Sequence, residues 1–170
     1  MTASALHTAR LTLREPLPHD WAAYAAFMAT EAARFFKGYG NPAEAWKSFG
    51  MIRWHWEDLG FGPWAVTRKE DDLCIGIVGP KKPPHWPEGE LTWIVFGSAE
   101  GKGLAAEAAT AARKDAYGRL GWDTCVSYIE DANTRSVALA ERLGCTVDAE
   151  AKVPGGLVRA WRHPGPEAAQ

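Results

Sequence analysis

Phe96-Gly97-Ser98-Ala99-Glu100-Gly101-Lys102-Gly103-Leu104-Ala105-Ala106-Glu107-Ala108-Ala109 lies between an apolar run and an alanine-rich, helix-forming segment. Gly101 and Gly103 carry no Cβ to keep a ligand from the backbone. The helix that follows offers unpaired N–H groups and the positive end of its dipole. The combination predicts an anion cradle. A P-loop is excluded, because it needs Ser or Thr after Gly-Lys and Gly103 follows Lys102 here. A dinucleotide fingerprint is weakened, since the element lies past mid-chain with Ala106 in place of the third glycine. Alanine is allowed there, so that reading stays open at this point.

A second segment narrows the choice. Val126-Ser127-Tyr128-Ile129 reads as a strand and leads into Asn133-Thr134-Arg135-Ser136-Val137-Ala138-Leu139-Ala140-Glu141-Arg142-Leu143-Gly144-Cys145. With this segment the chain resembles the GNAT superfamily of N-acetyltransferases, and within it the branch that acetylates ribosomal-protein N-termini. The family's acyl-CoA loop, Arg/Gln-x-x-Gly-x-Gly/Ala, is met by residues 100–105 in all but the first position. The branch's Gly-Lys-Gly-apolar-Ala-x-Glu-Ala is met in full by Gly101 to Ala108. Its Asn-x-x-Ser and closing Leu-Gly correspond to Asn133, Ser136, Leu143 and Gly144. Its opening Thr-x-Arg-Leu-x-Leu-Arg corresponds to Thr8-Ala9-Arg10-Leu11-Thr12-Leu13-Arg14. These signatures span residues 8 to 144.

Size and charge agree. One domain over residues 1–170, with a core from 7 to 163 and a disordered tail from Pro164, is expected for 170 residues without repeats. The net charge of −2 gives no electrostatic case for nucleic acid. No apolar run is long enough for a membrane span and the N-terminus is not signal-like, so the cytoplasm is expected, with no membrane partner. Cys74, Cys125 and Cys145 stand apart in apolar settings and read as reduced core thiols. No metal-ligand spacing is present.

Hydrophobic periodicity predicts the order β-α-α-β-β-β-α-β-α-β-β. The first strand covers residues 7–14, with Leu11 and Leu13 inward. A helix starts after Asp20 as N-cap, and a second opens at Asn41-Pro42 and runs to about residue 58 with Trp46, Phe49, Ile52, Arg53 and Trp56 on one face. Strands follow at 64–68, 74–78 and 91–96, the residues from Gly79 to Pro84 being too proline-rich for regular structure. A helix over 104–119 ends at Gly118 or Gly121, and strands at 124–129, 145–150 and 157–162 complete the set. The fold class is α/β. The resemblance implies a single-domain acyl-CoA N-acyltransferase fold, a mixed and mostly antiparallel sheet of about six to seven strands with about four helices.

Acetyl transfer from a thioester needs a neutral amine, a polarised carbonyl and a proton for the leaving thiolate. Glu90, at the start of the strand leading into the cradle, matches a Glu common there in the branch and is the candidate base; a solvated strand-end carboxylate is the plainer alternative. The resemblance gives the backbone of Ile94, Val95 and Phe96 to the pantetheine arm of acetyl-CoA, and Gly101, Lys102, Gly103, Leu104 and Ala105 to its pyrophosphate. Asn133 is implied as a further cofactor contact and is also a natural helix N-cap. Ser136 is the implied thiolate protonator, or else a first-turn serine bonded to its own backbone.

The chain departs from the pattern twice. Ala140 stands where many relatives carry a tyrosine acid, a role left vacant unless Tyr128 fills it. Glu100 puts an anion beside the pyrophosphate, with Lys102 as the expected offset. Trp93 and Tyr128 are the expected acceptor-side contacts among nine tryptophans, most of them core. His55 and His85 lie near the same region, with core or solvent roles the plainer reading. The expected activity is N-acetylation of a primary amine, on a protein N-terminus or small molecule, by direct attack in a ternary complex. A homodimer is left open. Two rivals remain: a non-catalytic acyl-CoA-binding module, and a nucleotide-dependent oxidoreductase for which Asp123 has near-suitable spacing.

Overall fold

Leu11 and Leu13 turn inward from β2 (Leu11–Arg14) and are fully buried, as their alternation requires. In this computed structural model, which describes residues 4–167, the expected strand over 7–14 is a hairpin: β1 (Leu6–His7) folds back on β2 with Leu6 opposite Leu13. The break has a specific cause. Thr8 Oγ1 accepts from Leu11 N at 2.9 Å and donates to Glu107 Oε1 at 2.6 Å. Glu107 also accepts from Arg10 N at 2.9 Å and Arg10 Nε at 2.7 Å. The opening motif is thereby tied to the helix that follows the glycine loop.

Helix α1 (Trp21–Met28) starts where expected, but Asp20 does not cap it. Its carboxylate turns back to accept from Leu17 N at 2.7 Å and from Arg14 NH1 at 2.8 Å, closing the short 3-10 turn before the helix. Helix α2 (Pro42–Trp54) begins as expected, Asn41 accepting from Ala43 N and Glu44 N with Pro42 at the first helical position. It runs on through one π turn to Leu59 and stops at Gly60, φ 69°. Ala45, Phe49 and Ile52 form its buried face. Trp46, expected there, is 59% exposed and packs edge-on against Trp21 at 5.0 Å.

The remaining elements are β3 (Trp64–Arg68), β4 (Cys74–Lys81), β5 (Glu90–Val95), α3 (Leu104–Gly118), β6 (Val126–Glu130), α4 (Thr134–Arg142), β7 (Thr146–Val147) and β8 (Val158–Arg162). They form one sheet of eight strands in the order β1-β2-β3-β4-β5-β6-β8-β7, with β5 and β6 parallel and the other neighbours antiparallel. The class is α/β with four α-helices, and the strand count exceeds the expected six to seven because the first strand is split. β4 also overruns its expected end: Pro80 pairs with Leu91, beyond the last β3 partner at Val78, where its missing N–H costs no bond to β3. At the other end the tail is packed at its first residue, Pro164 O accepting from Tyr117 Oη at 2.8 Å. Residues 168–170 of that expected tail lie outside the described residues.

Two apolar layers cover the sheet. Helices α3 and α4 bring Ala108, Ala112 and Leu139 against Leu11, Val66 and Trp93. The opposite layer packs Tyr24, Phe27 and Phe49 against Ile77, Ile94 and Phe96. β5 therefore presents Trp93 to one layer and Ile94 to the other, where Phe96, just past its end, joins it.

The centre of the sheet carries a fork. β5 pairs with β4 through all six of its residues but with β6 only at Glu90 opposite Val126. Beyond that pair the parallel strands part, which leaves β5 backbone groups facing β6 without a ladder partner. Ser127 Oγ donates to Leu91 O at 2.6 Å just past the last pair and holds the fork at its base.

Candidate functional site

Gly101 (φ 74°) and Gly103 (φ 73°) both take left-handed backbone, which places α3's N-terminus at the end of the fork. A Cβ on Gly101 would meet nothing within 4 Å, and no side chain caps α3 at Gly103. Arg10 braces this loop, donating from NH1 to Lys102 O at 3.0 Å while paired with Glu107. The loop borders a cleft of about 570 Å³ that runs between α3 and α4 and reaches Val95, Trp93 and Ser136. Leu104 and Ala105 line it as well, as does Asn133.

Glu100 is not left as a bare anion. Its carboxylate is paired with Arg135 on the cleft wall, and Arg142 lies about two turns further along the same face of α4. Lys102, the expected offset, instead puts its ammonium on Ser98 O at 3.1 Å and does not line the cleft. Arg135 and Arg142 were not singled out from sequence, although their seven-residue spacing in a helical segment places them on one face. Ile94 and Phe96 turn their side chains into the opposite layer, so only their backbone is available to this cleft.

A second cavity, about 280 Å³, adjoins this cleft at the fork and is walled by Trp86, Glu90, Thr92, Tyr128 and Glu130. The two cavities share Phe36, Trp93, Asn133 and Ser136. Glu90 is 5% exposed; Oε2 accepts from Trp86 Nε1 at 2.6 Å and lies 3.3 Å from Lys81 Nζ, and Oε1 takes part in neither contact. Trp93 Nε1, a donor only, gives its hydrogen to Ser136 Oγ at 3.2 Å. The Ser136 hydroxyl thus keeps its own proton for another acceptor. Asn133 caps α4 by accepting from Ser136 N at 3.3 Å, fixing where that hydroxyl sits. Tyr128 Oη donates to Lys152 O at 3.4 Å; burial, then the nearby Glu88 and Glu90, push its pKa up to about 12 and keep it protonated. Ala140, at the vacant tyrosine position, is fully buried under α4.

Beneath the fork lies a buried polar chain that the sequence did not announce. Ser127 spends its one proton on Leu91 O, so His163 must donate Nε2–H to Ser127 Oγ at 2.9 Å, leaving Nδ1 to face Arg113 NH1 at 3.4 Å. Arg113 NH1 also donates to Leu143 O at 2.7 Å. Burial, reinforced by Arg113 and Arg162, lowers the His163 pKa to about 3. The unfolded chain binds a proton on this residue near pH 6.5, and the folded chain refuses it until about pH 3. Stability should therefore fall as pH drops through that window, by up to about 1.4 kcal/mol per pH unit from this group. Urea unfolding of His163→Gln between neutral and mildly acidic pH should show a flatter decline than wild type; equal slopes would remove His163 as the cause. Ser127→Ala strips both Leu91 O and His163 Nε2 of a partner and should cost about 1–3 kcal/mol by the same assay.

His55 is structural. Its Nδ1 pairs with Met51 O at 2.8 Å, its Nε2 accepts from Lys82 N at 3.2 Å, and burial lowers its pKa. All three cysteines are buried thiols with pKa values pushed up, Cys125 to about 11 and Cys74 and Cys145 to about 12, which suits none of them to nucleophilic attack.

A family model for the acetyltransferase (GNAT) domain matches residues 10–146. An acetyltransferase from Agrobacterium tumefaciens str. C58 is 35% identical, with a TM-score of 0.87 over 96% of each chain. A ribosomal-protein-S5-alanine acetyltransferase from Vibrio fischeri shares the fold at 17% identity, TM-score 0.66 and 95% of each chain. So does a spermidine N-acetyltransferase from Vibrio cholerae, solved with CoA and spermine, at 18% identity and TM-score 0.69, covering 91% of this chain and 94% of that one. The family model and the 35% identical acetyltransferase set aside the oxidoreductase reading of the glycine loop: the chain belongs to the GNAT family and is an acyl-CoA-dependent N-acetyltransferase.

Proposed function

We propose that the chain transfers an acetyl group from acetyl-CoA to a primary amine by direct attack within a ternary complex, with the thioester seated where the two cavities meet. The observation that carries this reading is the pair of cavities that meet at the β5/β6 fork, at Trp93, Asn133 and Ser136. The cleft with the glycine loop and Arg142, where Arg135 neutralises Glu100 on the wall, suits the phosphates of acetyl-CoA, and the unpaired edge of β5 suits its pantetheine amide groups. The aromatic cavity with Glu90 suits the amine.

The chemistry follows from this assignment. An ammonium cannot attack, so Glu90 takes one proton from it. The neutral nitrogen forms the C–N bond as the thioester carbonyl becomes a tetrahedral oxyanion, which unpaired β5 N–H groups are oriented to stabilise. Collapse breaks the C–S bond. Ser136 Oγ, with its hydrogen uncommitted to Trp93, is the hydroxyl that gives its proton to the sulfur, and the second proton shed by the nitrogen restores the hydroxyl. The products are an acetamide and CoA thiol. The buried, high-pKa cysteines favour direct transfer over an acyl-cysteine intermediate. Free thiols also fit a cytoplasmic setting, and no helix among the described residues is long and apolar enough to cross a membrane.

Calorimetric titration with acetyl-CoA, followed by CoA-thiol release in the presence of an amine panel, tests the reading. Binding followed by amine-dependent thiol release is expected. Binding without any amine-dependent release would make the chain a carrier of acyl-CoA rather than a transferase.

A further inference from the structure

The second cavity is bordered by two lysines, Lys37 and Lys81, and two carboxylates, Glu90 and Glu130, but only Lys81 and Glu90 are in contact. Lys81 is matched by Glu90 and lies 5.3 Å from the centroid of the Trp86 ring. Glu130, at the end of β6, is half-buried and lines the same cavity, yet its carboxylate has no ion pair or hydrogen bond among the described residues. The neighbouring acid, Asp131, points elsewhere and pairs with Arg159. Glu130 shares its strand face with Tyr128, two residues earlier, and its backbone is held by Asn133 N donating to Glu130 O at 2.9 Å. An unmatched carboxylate beside aromatic rings is a complement for a single ammonium.

The rest of the wall limits what that ammonium can be attached to. Phe36, Trp86, Trp93 and Tyr128 supply apolar and aromatic surface, in a space of about 280 Å³. Lys37 and Lys81 border the same cavity, so a second cationic group on the ligand would meet like charge. One carboxylate free of contacts, several rings and two flanking lysines fit a monocation better than a polycation.

We propose that the acceptor is a compact monoamine with an aromatic or apolar body, docked as its ammonium on Glu130. The proposal rests on the acetyltransferase reading of the site and adds the substrate class. Glu90 and Glu130 then divide the work: Glu130 holds the charge on entry, and Glu90 takes the proton that frees the nucleophile. Sequence reading passed over Glu130, although its period-two relation to Tyr128 was visible in the strand.

The test is steady-state turnover of the full chain with phenylethylamine, spermidine and a short peptide with a free N-terminal alanine. Phenylethylamine should show the highest kcat/KM, by about tenfold or more, since spermidine brings further charges to the two lysines. Glu130→Gln should raise the KM for phenylethylamine about ten- to hundredfold, as expected for loss of a charge-assisted bond, while kcat and the KM for acetyl-CoA stay near wild type. Glu130→Asp should recover part of the loss. Preference for spermidine or the peptide would overturn the proposal. So would a Glu130→Gln variant that loses kcat without a change in amine KM. If acetyl-CoA binds by calorimetry and none of the three amines is turned over, the proposed class fails while the cofactor assignment stands. If acetyl-CoA does not bind, the acetyltransferase reading of the site fails with it.

Discussion

Gly101→Glu is expected to weaken acetyl-CoA binding by about a hundredfold or more, with the fold retained. Gly101 lines the cleft proposed for acetyl-CoA, and the space beyond its Cβ position is open, so a side chain there meets the volume assigned to the ligand rather than protein. A glutamate would set a second carboxylate beside Glu100. Arg135 is already committed to Glu100, which leaves the added charge to oppose the phosphates directly. Backbone strain is a separate matter, because any L-residue at φ 74° loses about 1 kcal/mol or more. Gly101→Ala isolates it, carrying the same strain without the charge. The alanine variant should match the glutamate variant in thermal stability yet lose only a few-fold in affinity, and added salt should narrow the gap between them. Equal weakening by the two substitutions would mean that the loop holds no anion.

The glycine loop was legible because its requirement is local: two left-handed residues before a helix are a demand that sequence states openly. Asn41-Pro42 and Asn133 were legible for the same reason, each capping the helix that follows it. What escaped is held by partners far away in the chain. Residues 7–14 alternate like one strand, and nothing nearby discloses that Glu107 will collect Thr8 and Arg10 and fold the segment into a hairpin. Asp20 has the chemistry of a cap and the position of one, but Arg14 draws its carboxylate away. In α2 the apolar pattern admitted Trp46 to the inner face, whereas Trp21 offers it a surface contact instead.

The candidate site divides along the same line. That Glu90 and Ser136 lie near one fork could be anticipated from their segments. That Trp93 bonds to Ser136, or that Lys81 and Trp86 converge on Glu90, depends on how four segments meet. Lys102 and Arg135 show the cost of reasoning from proximity in sequence. The cation next to Glu100 in the chain turns to Ser98, and the cation that reaches Glu100 comes from the next helix.

Glu90→Gln should lower kcat by about a hundredfold or more near neutral pH, with little change in the KM for acetyl-CoA. The substitution keeps an acceptor for Trp86 Nε1 and removes both the proton-accepting charge and the match for Lys81. Two effects therefore have to be told apart. Loss of base catalysis should fade as pH rises past the pKa of the acceptor amine, because the nucleophile then arrives already neutral. Loss of the Lys81 pairing is told apart by a second substitution. The double variant Lys81→Met/Glu90→Gln removes the stranded cation and leaves the base missing. If it retains the pH-dependent defect of the single variant, Glu90 acts on the proton of the amine. If removing Lys81 restores turnover at neutral pH, the role of Glu90 is to neutralise Lys81, and the proton must leave by another route.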